Sequence, residues 1–126
     1  MKNIVFKIFG VIFNGDIAMY DRHVWLKKNL VVNNENSNLL DIGCGNGWAL
    51  HIAQKLGFKK IVGLSWDQKD IEKINDRSKN TNQFELIIGD ARKLNEIDFN
   101  FKFDAIINCE NIENIIDDEK LIRDIS

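Results

Sequence analysis

The chain has 126 residues, enough for one domain of modest size, and 44% of them are hydrophobic, which suits a packed core and excludes a disordered chain. Its net charge of −2 supplies no basic field, so nucleic acid is not an implied partner. Two cysteines far apart, Cys44 and Cys109, with no Cys/His cluster, suggest neither a zinc site nor a disulfide framework and make a reduced, cytoplasmic setting the default reading.

The N-terminal "KNIVFKIFGVIF" has the outline of a secretory leader, but Lys7 divides its apolar run and no small-residue cleavage site follows. It is also too short to span a bilayer. It reads as a packing or lid segment, with no stable membrane insertion and with peripheral membrane contact as the lesser alternative. In "DIAMYDRHVWLKKNL", Ile17, Tyr20, Val24, Trp25 and Leu30 recur at loosely helical spacing, and such a helix can cover a sheet or a ligand crevice. Residues 1–34 are therefore expected to form a helical lid segment. His23 within it reads as a surface or packing residue and not as a base.

From Ser37 onward, short apolar runs alternate with helical patterns. "NLLDI" (38–42) predicts a buried strand. Ala49, Ile52, Ala53 and Leu56 at i, i+3, i+4 and i+7, with Gly57 as a stop, predict an amphipathic helix. "KIVGL" (60–64) predicts a second strand, after which Asp67 can cap a helix that carries Asp70 in its electropositive first turn and turns Ile71 and Ile74 to the core. "FELIIGD" (84–90) and "FDAIINC" (103–109) are near-continuous apolar runs and predict strands covered on both faces. A last helix is expected from Asp117, burying Leu121, Ile122 and Ile125. Strands alternating with helices imply parallel pairing and right-handed crossovers, hence an α/β fold with an open sheet of Rossmann type.

In such sheets the ligand sits beyond the carboxyl ends of the strands, at the first strand-to-helix turn. That turn is "LLDIGCGNGWAL" (39–50), where glycines stand at 43, 45 and 47. Three glycines in five residues sacrifice packing and chain entropy, which implies close approach of a ligand to the backbone. The dinucleotide fingerprint GxGxxG needs a third glycine for helix–strand packing, and here Trp48 occupies that place. Asp41, two residues before the first glycine, would repel a pyrophosphate and favour a cation. These signs disfavour a nicotinamide dinucleotide and favour S-adenosylmethionine, which carries a sulfonium and an ammonium group and no phosphate.

"LLDIGCGNG" closely resembles the first motif of class I S-adenosylmethionine-dependent methyltransferases. "IVGLSWDQKDIEKI", "FELIIGDARKL" and "FDAIINCENIENIIDDEKLI" resemble the family's next three strand segments in order, and "YDRHVWLKKNL" resembles a helix that precedes the sheet in bacterial members. The resemblance implies the N-terminal half of a seven-stranded Rossmann-like fold, with helices on both faces and strand order 3-2-1-4. It makes residues 35–126 an S-adenosylmethionine-binding domain lacking strands five to seven. It implies that Gly43, Cys44 and Gly45 bring backbone to the methionyl portion while Asp41 supports the loop and the ammonium group. Ser65 stands where the family places an acidic residue for the ribose hydroxyls, a departure that Asp67 can offset by reaching back. Trp66 would flank the adenine or else pack between helix and sheet. Asp90 would accept from the adenine amino group, with Ala91 supplying a backbone contact, or else cap the next turn; the strand-end position favours the ligand.

Cys109 and Glu110 would lie beside the reacting methyl, which makes Glu110 the residue to test as a catalyst. Glu113 reads as a solvated charge. Asn114 stands where related sequences often carry histidine and cannot act as a base. No metal is implied. The expected activity is methyl transfer to an unidentified acceptor, expected to be a small molecule. The alternative is a non-catalytic module that binds S-adenosylmethionine or S-adenosylhomocysteine. The fourth strand would be a bare edge. That edge implies a truncated reading frame, a fragment of a longer protein, or a partner chain, and a marginally stable, poorly active chain when isolated.

Overall fold

The computed structural model describes residues 5–8, 11–14, 17–78, 84–109 and 118–125. Strands β1 (Val5–Ile8) and β2 (Val11–Asn14) pair antiparallel, with Val5 opposite Asn14, and helix α1 (Ile17–Asn29) follows. The segment expected to be helical is thus helical only from Ile17, because its run of Val, Ile and Phe favours extended backbone. Among the described side chains of α1 the buried ones are His23 and Leu26, one turn apart, whereas Trp25 is exposed. The expected stripe through Val24 and Trp25 is displaced by the side chains at i and i+3 that face the sheet domain.

The second sheet contains β3 (Asn38–Ile42), β4 (Lys60–Ser65), β5 (Glu85–Ile88) and β6 (Ala105–Ile107). Its order is β5-β4-β3-β6 and every pairing is parallel, which is the expected order 3-2-1-4 counted from β3. Helix α2 (Trp48–Leu56) links β3 to β4, α3 (Gln68–Arg77) follows β4, a 3-10 segment (Ala91–Glu96) follows β5, and α4 (Asp118–Ile125) follows β6. Gly57 ends α2 in the left-handed region at φ 98°, its N–H donating to Ala53 O and Gln54 O. Asp67 caps α3 by accepting from the N–H of Lys69.

Alternation along the strands sends side chains to two core layers. Leu39, Ala49, Leu50, Ile52, Ala53, Ile61 and Ile74 pack on the face covered by α1, α2 and α3. Leu40, Ile42, Val62, Leu64, Leu94 and Leu121 pack on the other, beneath the 3-10 segment and α4. Leu121 is fully buried but Ile122 is exposed, contrary to expectation, because it lies a hundred degrees round α4 from its neighbour. All four strands send side chains into both layers, as Leu86 and Ile87 of β5 and Ile107 and Ile106 of β6 do, but β3 and β4 are the more deeply buried. β5 and β6 form the sheet edges, so their residues are mostly half-buried and Ile88 is exposed. Among the described residues no helix is long and apolar enough to cross a membrane.

Candidate functional site

All four strands of the second sheet run the same way, so the segments following β3, β4, β5 and β6 gather along one edge. The β3–α2 turn lies at its centre. Gly43, Gly45 and Gly47 adopt φ of 77°, 48° and 79°, a region that side chains rarely enter. The three glycines do different work. Gly43 and Cys44 donate their N–H groups to Leu64 O at 2.8 and 2.9 Å, which pins the turn to β4. A Cβ on Gly47 would stand 2.8 Å from Cγ1 of Ile74, so its bareness lets α3 pack under the loop. A Cβ on Gly45 would meet nothing within 4 Å. Gly45 therefore provides the open approach. Arg77 ties α3 to the same loop by donating from Nη1 to Asn46 O at 3.3 Å.

Asp41 lies beneath this turn, 3% exposed and paired in register with Gly63 of β4. Burial pushes its pKa up to about 7, and no hydrogen bond or positive charge among the described residues offsets that burial. The Cys44 thiol is pushed up to about 12, first by its own burial and then by the charges of Asp41 and Asp70. Gly63 was not singled out from the sequence. A Cβ there would come within 2.9 Å of Leu50 Cδ1 and 3.0 Å of Cys44 Sγ, so its absence makes room for the loop beside Asp41.

At the end of β4, Ser65 is buried and its Oγ donates to Asp70 Oδ2 at 3.0 Å while accepting from the N–H of Asp67 at 3.1 Å. Asp67 is occupied as the cap of α3 and its Oδ1 accepts from Lys69 N at 2.9 Å. Asp70, and not Asp67, is the carboxylate that accepts from the Ser65 hydroxyl. Trp66 is 79% exposed, so packing between helix and sheet is not its role.

After β5, Asp90 caps the 3-10 segment by accepting from Arg92 N at 2.9 Å and pairs with the Arg92 guanidinium, Nη2 to Oδ2, at 2.6 Å. The Arg92 side chain and N–H hold its pKa down at about 2. The capping role is therefore real, whatever else Asp90 contacts. Ala91 opens the segment and is half-buried, as is Cys109 after β6. Glu110, Glu113, Asn114 and Asp117 lie outside the described residues. His23 is a packing residue, its ring centroid 4.3 Å from that of Trp48 at the start of α2. No group of three or more His, Cys, Asp or Glu among the described residues can hold a metal ion.

A family model described as a methyltransferase domain matches residues 39–126. The chain is 36% identical over 81 residues to a probable cobalt-precorrin-6B C(15)-methyltransferase (decarboxylating) of Methanococcus maripaludis, covering 63% of this chain and 44% of that protein. It is similar in fold to a chain solved in complex with the Haloferax volcanii Trm112 methyltransferase activator, with a TM-score of 0.69, 20% identity, 86% of this chain covered and 48% of that one. It is also similar to CalS10, an amino pentose methyltransferase from Micromonospora echinaspora solved with S-adenosylmethionine bound, with a TM-score of 0.60, 19% identity and coverage of 86% and 42%. The chain spans less than half the length of each of these proteins.

Proposed function

The chain belongs to the methyltransferase domain family, and on that premise we propose that it binds S-adenosylmethionine at the β3–α2 turn and presents the donor to a small-molecule acceptor. One observation carries the reading. Asp41 is a buried carboxylate whose burial nothing among the described residues offsets, and it lies beneath a turn whose middle glycine faces open space. A ligand with an ammonium group and no phosphate restores what burial takes from Asp41, whereas a pyrophosphate adds to the penalty.

Asp41 would hold the ammonium group, and the backbone at Gly45 would lie against the methionyl portion, with Gly43 and Cys44 keeping the turn in place. Trp66, already exposed at the strand end, offers an aromatic wall to the adenine. Asp90 keeps acceptor capacity beyond its pairing with Arg92, since a carboxylate has about four lone-pair sites, and Ala91 would add a backbone contact on the same edge of the base. Cys109 would line the pocket near the transferred group, with Glu110 the residue to test as a base. When bound, S-adenosylmethionine supplies a methyl group on an already activated leaving group. The protein's share is alignment and exclusion of water.

The relatives named above act on a cobalt-precorrin and an amino pentose by their names, which supports a small organic acceptor here. One similar structure was solved with an activator protein, which supports a partner chain here, and the β6 edge of the sheet is the place we assign it. The second reading, binding without transfer, rests on β6 standing at the sheet edge with its strand half-buried. Thermal denaturation with S-adenosylmethionine, S-adenosylhomocysteine or NAD tests the binding, and transfer of a labelled methyl group separates the two readings. Stabilisation by the adenosyl compounds and not by NAD is expected; the reverse order overturns the proposal.

A further inference from the structure

Helix α4 follows β6, at one edge of the sheet, yet it is bonded to the 3-10 segment that follows β5, at the opposite edge. Lys120 makes that connection. Its ammonium group donates to Arg92 O at 2.9 Å and to Asn95 Oδ1 at 3.3 Å, and it pairs one turn on with Asp124 of its own helix. The next residue, Leu121, is fully buried in the core layer that also holds Leu94 of the 3-10 segment, which sets α4 at this distance.

The segment so held needs an outside support. It has six residues, and its helical backbone is broken at Lys93, where φ is −119° and ψ is 31°. A 3-10 turn has poorer hydrogen-bond geometry than an α-helix and supports itself weakly. Leu94 is its buried side chain. One buried side chain fixes how deep the segment lies and leaves its rotation to polar contacts.

Arg92 is where the anchor meets the site. Its carbonyl accepts from Lys120, while its own N–H and guanidinium hold the Asp90 carboxylate. Asp90 stands at the edge where the ligand-side turns gather, because Gly89 before it donates to Ser65 O at 2.9 Å, and its side chain retains 33% exposure. The line Lys120–Arg92–Asp90 thus runs from α4 to the carboxylate assigned above to the base.

Resting on that nucleoside reading, we propose that Lys120 is a positioning residue for base recognition. Lys120 itself touches no ligand. By holding the Arg92 carbonyl it fixes the angle at which Asp90 meets the adenine amino group. Hypoxanthine carries an oxygen where adenine carries that amino group, so a carboxylate fixed there rejects it, whereas a loosely held one turns aside.

Calorimetry on the full chain with S-adenosylhomocysteine and S-inosylhomocysteine tests this. Wild type should prefer the adenosyl compound by about 10- to 100-fold, the range for a hydrogen bond to a charged acceptor. Lys120→Met, which keeps the stem and loses the donor, should cut that preference to about threefold or less while leaving affinity for the inosyl compound within about twofold. Lys120→Arg, which keeps a charged donor, should restore most of it. A Lys120 that served only the fold would lower both affinities together. Equal loss for both compounds, or a full adenine preference in Lys120→Met, overturns the inference and leaves the nucleoside reading standing. Wild type that binds the two compounds equally overturns the inference and leaves binding at the glycine turn standing. Should Lys120→Met fail to fold, Lys120→Gln decides by the same comparison. Wild type that binds neither compound overturns both.

Discussion

Replacing Asp41 by asparagine should make the ligand-free protein more stable at pH 8 and worse at binding. The side chain is 3% exposed, and burial raises its pKa from 3.8 to about 7. The folded protein therefore holds a proton that the unfolded chain has already released across that interval. The contribution of Asp41 to stability is greatest below the unfolded value, falls as pH rises from about 4, and levels off above the folded value near 7. Three pKa units correspond to about 4 kcal/mol lost over the window. Asparagine is nearly the same shape and does not ionise, so this loss of stability with rising pH should be absent from the variant. Leaving an amide unsatisfied costs about 1–3 kcal/mol, so the net gain at pH 8 is ~1–3 kcal/mol. For a domain of this length that is roughly 4–12 °C in melting temperature. Urea and thermal melts of both proteins from pH 4 to pH 8 give the comparison. Added S-adenosylhomocysteine should stabilise wild type increasingly with pH, and the Asp41→Asn protein should bind it at least about 10-fold more weakly. Parallel pH curves for the two proteins would refute the claim that Asp41 is buried without compensation.

Gly47→Ala should cost about 2–4 kcal/mol in urea denaturation, because its Cβ strikes Ile74 and its φ of 79° suits glycine. Gly45→Ala should cost only about 1 kcal/mol of stability yet weaken ligand binding about 10-fold or more, since it fills open space over the turn. Trp66→Ala should leave stability within about 0.5 kcal/mol while weakening nucleoside binding ~5- to 100-fold, and Trp66 emission should shift on binding. Leu121→Ala, at a fully buried position, should cost about 3 kcal/mol by the same melts. His51 has its pKa lowered, chiefly by burial, so stability should fall as pH drops below about 6.5; His51→Gln in the Asp41→Asn background should flatten that acid limb.

The sheet was legible because its signals are local. The apolar run 38–42, the glycine turn, the 3.6-residue pattern ending at Gly57 and the Asp67 cap each lie where the sequence places them. What failed depends on neighbours. Exposure of Ile88 follows from β5 being an edge, and sequence periodicity carries no information on which strand ends the sheet. Trp25 and Ile122 read as core because they are large and apolar, but their positions on α1 and α4 turn them away from the sheet. The strand pair before α1 has its signal in a density of Val, Ile and Phe that favours extended backbone over helix. Around the candidate site, an acidic residue ahead of the turn and a bare glycine within it, Asp41 and Gly45, are visible in the sequence itself. Gly63 and Asp70 are not, because each acts across a strand or helix boundary: Gly63 by making room for Cys44, and Asp70 by meeting Ser65 five residues earlier. The serine at a strand end followed by an aspartate one helical turn on was the available clue.

The central claim is that an open glycine turn over a buried carboxylate selects a cationic, phosphate-free nucleoside. Calorimetric titration with S-adenosylhomocysteine, with methylthioadenosine, which lacks the amino-acid group, and with NAD measures it directly. The account predicts that S-adenosylhomocysteine binds about 10-fold or more tighter than methylthioadenosine, with NAD weakest. Equal affinity for the first two compounds, or tightest binding of NAD, would contradict it.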